Sequence, residues 1–216
     1  MTRIAKTGGW FRVAVAGLCL FLVRGAMPAF AASVPVASLL DGPTDYAADF
    51  YVVSDKGRFQ GSTVHAPGRG RWSFETQGGR QTLLLRRDTN QAAMLWPERK
   101  WYLSTSFQAI AALVGGFDGV MVDSRATGQD VVGGEPTTRY EVSGASGQGG
   151  HFHGRIWLSR DGILMKLVGR VSFAGQENKV ETGLSHVLRV KADPAAFELP
   201  ADYSGLPLDF SKIAPH

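Results

Sequence analysis

Turn spacing is the feature that most constrains this chain. From Tyr46 onward, short runs of alternating apolar and polar side chains are cut by Gly, Pro, Asn or Asp at intervals of roughly 8–12 residues, the pattern of an antiparallel β meander. In "YAADFYVVS", Tyr46, Ala48, Phe50 and Val52 share one face. In "GRWSFETQ", Trp72, Phe74 and Thr76 share one face and Arg71, Ser73 and Glu75 the other. That split is what a half-buried strand requires. Asp55-Lys56-Gly57, Pro67-Gly68, Gly78-Gly79, Thr89-Asn90 and Pro97-Glu98 separate "RFQGSTVHA", "RQTLLLRRD", "QAAMLW" and "RKWYLS" in turn.

Strands resume with "EPTTRYEVSG", followed by a glycine-rich segment over 143–150 that reads as a flexible loop. "HFHGRIWLS" and "ILMKLVGRVSFAG" flank Asp161-Gly162, which predicts a two-residue type I′ hairpin. "KVETGLSHVLRVK" is the last long strand, with Val180, Leu184, His186, Leu188 and Val190 expected on its apolar face. One segment departs from strand periodicity. "STSFQAIAALVGGF" places Phe107, Ile110, Ala111 and Val114 at helical spacing, with N-caps among Ser104 to Ser106 and a stop at Gly115-Gly116. A helix of two to three turns with almost no charge must bury its apolar face, which places it across the sheet.

Residues 1–31 read as a secretory leader. Arg3, Lys6 and Arg12 precede the apolar run Val13 to Val23, and Ala29-Phe30-Ala31 supplies a small-residue cleavage motif. The run is shorter than the ~20 residues a membrane span needs. Cys19 follows Leu18 inside the apolar run, which argues against lipid attachment there. Cleavage after Ala31 leaves no cysteine, so the secreted chain needs no disulfide. The leader also holds four of the 23 basic residues. Without it, 19 basic residues face 19 acidic ones, so the net charge of +4 belongs to the precursor. A balanced chain of this kind offers no surface for nucleic acid. Residues 32–44 read as a lead-in, 45–203 as one domain and 204–216 as a C-terminal tail, and the Pro-punctuated tail sequence "DPAAFELPADYSGLPLDF" begins at Asp193.

No constellation of reactive side chains stands out. His151 and His153 share one side of a strand, a spacing that suits two ligands on one metal, with His186 as the available third. A solvated strand entrance is the simpler reading, and no metal or cofactor is expected. "GASGQ" (Gly144 to Gln148) lacks the final glycine of a nucleophile elbow. Neither H-E-x-x-H nor a phosphate loop occurs. Paired carboxylates of the glycosidase type are set by the fold and stay open. Arg86-Arg87 and Arg99-Lys100 read as solvated basic pairs. The expectation is therefore a protein without enzymatic activity.

The aromatic residues point elsewhere. Trp72, Phe74, Trp96, Trp101, Phe107 and Trp157 are spread along most of the chain, and many of them belong to the core. A broad meander has one large apolar face that a single short helix cannot cover. The remainder is either filled by side chains or left as an apolar hollow, which is a candidate acyl-chain site.

"DVVGGEPTTRYEVSG", "GRIWLSRDGILMKLVG" and "ADPAAFELPADY" resemble the second half of small secreted bacterial proteins of the LolA/LolB-like superfamily. "QAAMLWPERKWYL" before an apolar helix is similar too, with Met94, Pro97 and Tyr102 near the Met, Pro and Tyr of that family's strand, and Tyr102 one residue later. The resemblance spans residues 45–203 and is closest to uncharacterised secreted members. The superfamily includes a periplasmic lipoprotein carrier and its outer-membrane receptor. The resemblance implies a mainly β (α+β) fold: a strongly curved antiparallel sheet, or unclosed β-barrel, with a short helical lid over a hydrophobic hollow. It carries over no functional residue.

The resulting expectation is a soluble periplasmic protein that binds a lipid, acyl chain or other apolar ligand between sheet and helix. The expected lining is Trp72, Phe74, Leu83, Leu85, Trp101, Phe107, Ile110, Val114, Ile156 and Leu158, with Arg155 and Trp157 more exposed on the other side. The alternatives are an interaction module for another envelope protein, with a filled core, and a periplasmic hydrolase. No nucleic acid and no membrane-spanning segment after leader cleavage are expected.

Overall fold

A computed structural model describes residues 32–35, 39, 41–55, 57–109, 121–145, 150–173 and 176–206. Residues 1–31, read above as a leader, lie outside the described residues, as do Ile110, Val114 and residues 146–149 of the glycine-rich segment. The chain forms one sheet. Its strands are β1 (Ala32–Pro35), β2 (Tyr46–Ser54), β3 (Gly57–Ala66), β4 (Arg69–Thr76), β5 (Gly79–Arg86), β6 (Gln91–Trp96), β7 (Trp101–Ser106), β8 (Met121–Val132), β9 (Glu135–Ala145), β10 (His151–Ser159), β11 (Leu164–Phe173), β12 (Gln176–Leu188) and β13 (Ser204–Gly205).

The spatial order is β1-β8-β9-β10-β11-β12-β2-β3-β4-β5-β6-β7-β13. Every neighbouring pair is antiparallel except β13, which runs parallel to β7. The sheet is curved and unclosed, with β1 and β13 as its margins. β7 and β8 are consecutive in the chain yet lie near opposite margins, so the chain crosses from one side of the sheet to the other between Ser106 and Met121. The start of that crossing is helical at residues 107–109, and the Ser106 hydroxyl caps it by accepting from the Ala109 amide at 3.0 Å.

Curvature is most evident at the tip of the β8–β9 hairpin. Gly133 (φ 59°) lies so close to β12, four strands along the sheet, that a Cβ there would sit 2.8 Å from the Leu184 carbonyl oxygen. A flat sheet could not bring those backbones together. Arg189, just beyond β12, holds the same end by pairing with Glu135 and Asp161.

The sheet extends into both flanking segments. β1, in the lead-in, pairs with Met121–Ser124 of β8, and β13, in the tail, pairs with Trp101 and Tyr102. Asp41 of the lead-in accepts from the Gly68 amide, the His65 ring and the Arg87 guanidinium. β8 is a strand that turn spacing does not single out: "MVDSRATGQDVV" has few apolar positions and a bulge between Ala126 and Gly128. β9 also runs on to Ala145, into the glycine-rich segment.

Two local expectations need correction. The β10–β11 connection is not a two-residue type I′ turn, since Gly162 (φ 83°) has a positive φ and Asp161 does not. The Gly162 amide donates to the Ser159 carbonyl and the Ser159 amide to the Ile163 carbonyl, which makes a three-residue loop with glycine in the left-handed position. The Ser159 hydroxyl holds this arrangement, donating to Asp161 and accepting from the Ile163 amide. In β12, a bulge between Ser185 and Leu188 places His186 at φ 51°. One inserted residue reverses the alternation beyond it. His186, Leu188 and Val190 therefore face solvent, and Val187 packs against the core in their place.

Candidate functional site: the uncharged face of the sheet

The hairpin registers determine which side chains share a face. In an antiparallel ladder, directly opposed residues point the same way. Thr63, Trp72, Leu83, Met94 and Leu103 are opposed in sequence from β3 to β7, so they form one row. The neighbouring rows on that face are Gly61 with Phe74 and Gln81, and His65 with Gly70, Leu85, Ala92 and Thr105. Tyr46, Ala48, Phe50 and Val52 continue the face on β2, and Trp96 and Trp101 lie opposite each other at its far end. Across β2–β7, His65 is the one ionisable side chain, apart from the tyrosine phenol, that strand alternation places on this face.

Packing on this face is uneven. Tyr46, Ala48, Phe50, Ile163, Met165 and Leu184 form a buried cluster, against which Trp72 and Phe74 pack. Phe50 meets the Trp72 ring edge-on at 4.8 Å, and Phe59 meets Phe74 similarly at 6.4 Å. Towards β7 the cover thins. Leu83, Leu85, Met94 and Leu103 are half-buried and Trp101 is 41% exposed.

The opposite face of the same strands is largely polar, with Arg71, Glu75, Arg80 and Arg86, but it holds one apolar patch. Leu84, Ala93 and Leu95 are buried there, with Tyr102 and Tyr203 packed against them. The tail supplies the cover. Asp193 caps a 3₁₀ turn over Pro194–Phe197, Phe197 is buried, and Arg71 donates to the Ala196 carbonyl at 3.2 Å. The three consecutive leucines Leu83-Leu84-Leu85 thus serve both faces, and a cavity of about 310 Å³ remains between Leu84, Ala93, Phe197 and Leu199.

The residues read from the sequence as lining fall as follows. Trp72, Phe74, Leu83, Leu85 and Trp101 come together on the uncharged face of β4–β7. Ile156 and Leu158 share that face by register, through Leu167, Thr182 and Val52, but on β10, five strands from β4. Ile156 is fully buried; Leu158 borders a cavity of about 620 Å³ with Tyr140, Val131 and Pro136. Phe107 lies beyond β7 under the Arg87 guanidinium at 5.5 Å. Met94, Leu103, Trp96 and Phe59 join the face in addition to the expected lining. The signal that finds them is the cross-strand partner of each lining residue, which strand periodicity by itself does not supply.

Trp157 is the clear correction. It points away from Ile156, as alternation requires, yet it is 8% exposed. Its indole donates to Asp130 at 2.8 Å, and Arg155 and Lys166 lie over its ring at 5.8 and 5.7 Å. Side chains from neighbouring strands and from its own strand bury it. The basic pairs are engaged as well: Arg86 with Glu198, Arg87 with Asp41, Lys100 with Asp202, and Arg99 over Trp101. His151 and His153 are exposed on the opposite face, and among the described residues no three His, Cys, Asp or Glu side chains converge as metal ligands.

One buried polar network borders the uncharged face. The His65 ring stacks on Tyr46 at 4.9 Å, with Nδ1 3.0 Å from the Thr44 carbonyl oxygen and Nε2 3.1 Å from Asp41. Burial, then the nearby Asp41 carboxylate, pushes the Tyr46 phenol up to about 12. Through its contacts with Thr44 and Asp41, His65 anchors the lead-in to β3, and among the described residues no hydroxyl is hydrogen-bonded to its ring. Among the described residues no helix is long and apolar enough to cross a membrane.

No family model matches the chain, and no curated protein matches it. Among solved structures it is similar to an uncharacterised conserved protein from Thermus thermophilus, at 13% identity and TM-score 0.47, over 76% of this chain and 90% of that one. It is similar to the Pseudomonas aeruginosa MucA/MucB complex structure at 13% identity and TM-score 0.46, over 78% of this chain, and spans 60% of that chain's length. It is also similar to a domain described as an outer membrane lipoprotein-sorting protein, from Vibrio parahaemolyticus, at 10% identity and TM-score 0.30, over 74% of this chain and 92% of that one.

Proposed function

We propose that this protein works in the periplasm as a binding protein that holds a lipid or acyl chain against the uncharged face of β4–β7. One observation carries the reading: the chain's own tail covers the apolar patch of Leu84, Ala93 and Leu95 on the otherwise polar face of these strands, while their uncharged face is less completely covered towards β7. An antiparallel sheet in water normally keeps one face polar. The uncharged face presents a half-buried row of Trp72, Leu83, Met94 and Leu103, with Trp101 at its border. Each acyl CH₂ buried there gains about 0.8 kcal/mol, so a few carbons give useful affinity. The leader read from residues 1–31 supports the compartment.

Native mass spectrometry of the leader-free protein, purified without detergent, tests the reading together with uptake of a fluorescent fatty acid. A co-purifying lipid, and uptake that falls several-fold in Trp101→Ala, are expected. A clean apo mass with no uptake overturns it and favours a protein partner on this sheet.

A further inference from the structure

Thr63 is an exception among the buried polar side chains. His65 bonds Asp41 and Thr44, Thr82 bonds Ser73, Thr137 donates to the Asp130 carbonyl, and Ser159 bonds Asp161 and Ile163. Thr63 is 2% exposed on the uncharged face, yet its hydroxyl has no hydrogen-bond partner among the described residues. A buried hydroxyl without a partner destabilises the protein, and valine would fill the same space without that cost. A residue kept in so unfavourable a state invites a functional explanation.

The neighbour of Thr63 supplies one. Trp72 is its direct cross-strand partner. The indole Nε1 is directed towards Gly70, where a Cβ would sit 3.1 Å away, and it donates to no acceptor among the described residues. The Trp72 ring is held by packing against Phe50 and not by a hydrogen bond, so a side-chain rearrangement on this face is what would open the buried Thr63 hydroxyl to a ligand. Thr63 and Trp72, whose side-chain polar groups have no hydrogen-bond partner among the described residues, are thus directly opposed at the head of the row Leu83, Met94 and Leu103.

We infer that Thr63 and Trp72 form a polar seat for a neutral carbonyl, the ester of an acyl lipid, whose hydrocarbon runs along that row. This rests on the binding reading above. Both groups can donate to a carbonyl oxygen. Strand alternation on β2–β7 brings no Arg or Lys to this face, and His65 is already engaged by Asp41 and the Thr44 carbonyl, so neither is available to balance a free carboxylate. An uncharged ester is the acceptor that fits. Thr63 and Trp72 act as specificity determinants, and the row below them supplies contact area.

The test compares three probes, 1-monooleoylglycerol, oleic acid at neutral pH and the hydrocarbon diphenylhexatriene, on wild type, Thr63→Val and Trp72→Phe. Wild type should prefer monooleoylglycerol to oleate. Thr63→Val should melt at a higher temperature, bind monooleoylglycerol about fivefold more weakly, the loss of one hydrogen bond, and bind diphenylhexatriene unchanged. Trp72→Phe should weaken the ester probe similarly. Equal affinity of Thr63→Val for monooleoylglycerol overturns the seat, as does equal weakening of all probes. Failure of wild type to bind any probe overturns the binding reading itself.

Discussion

The Arg189 guanidinium donates from Nε to the Asp161 carboxylate at 2.6 Å, and its Nη2 reaches Glu135 at 2.8 Å. One side chain beyond β12 thus ties the β8–β9 turn to the β10–β11 turn, at the end where Gly133 approaches the Leu184 carbonyl of β12. Arg189 first, and the Ser159 hydroxyl with it, hold the Asp161 carboxyl at about 2 against the cost of partial burial. A depressed carboxyl contributes stability above its unfolded value near 4 and loses it as pH falls towards 2. Wild type should lose stability through that window. Arg189→Ala should lose less there while starting about 1 kcal/mol less stable, a modest figure because about a third of each side chain stays in water. Urea denaturation at pH 7, 4 and 2.5 checks both statements.

The alkaline limb should report on Tyr46. Its phenol lies at about 12, raised by burial and then by Asp41. A group raised in the folded state contributes stability that is complete below its unfolded value of about 10 and is lost as pH rises towards 12. Absorbance titration at 295 nm should show Tyr46 among the late-titrating tyrosines, alongside Tyr51, which burial and then its hydrogen bond to Glu181 also raise. Tyr46→Phe should remove the Tyr46 step and flatten the stability profile between pH 10 and 12.

Asp41 should matter more than its place in the lead-in suggests. It receives the Gly68 amide at 2.9 Å, His65 at 3.1 Å and Arg87 at 3.0 Å. Asp41→Asn keeps the shape but removes the charge that pairs with Arg87 and one acceptor oxygen. The expected cost is about 2 kcal/mol, measured by denaturant unfolding. Truncation to residue 45 should cost at least as much.

Gly133 should tolerate no side chain. Its φ of 59° disfavours one, and a Cβ would meet the Leu184 carbonyl oxygen at 2.8 Å, a backbone atom that cannot swing aside. Gly133→Ala should therefore destabilise by about 2 kcal/mol or more. Gly134, also at positive φ (86°), would meet nothing within 4 Å, so Gly134→Ala should cost less. Equal losses at the two positions would refute the close approach.

Local chemistry made much of this fold legible. Alternation in "YAADFYVVS" and "GRWSFETQ" and the turn residues between runs are properties of a few neighbouring residues, and β2 to β7 follow them. The faces of Trp72, Phe74, Leu83, Leu85 and Trp101 follow as well, because period-2 alternation settles a face once one strand is placed. β8 escaped because its apolar positions are sparse and its place depends on β9 and β1, distant in the chain.

Sequence determined the strand-and-turn grammar, the apolar stripe and the near absence of charge on it, since each depends on residue type and spacing within one or two hairpins. Tertiary structure decided what covers each face. The tail over Leu84 and Leu95, the bulge that turns His186 outward, the burial of Trp157 by Asp130, Arg155 and Lys166, and the unpartnered Thr63 hydroxyl beside Trp72 all arise where the curved sheet or the tail brings separate strands together, and no local pattern encodes that meeting.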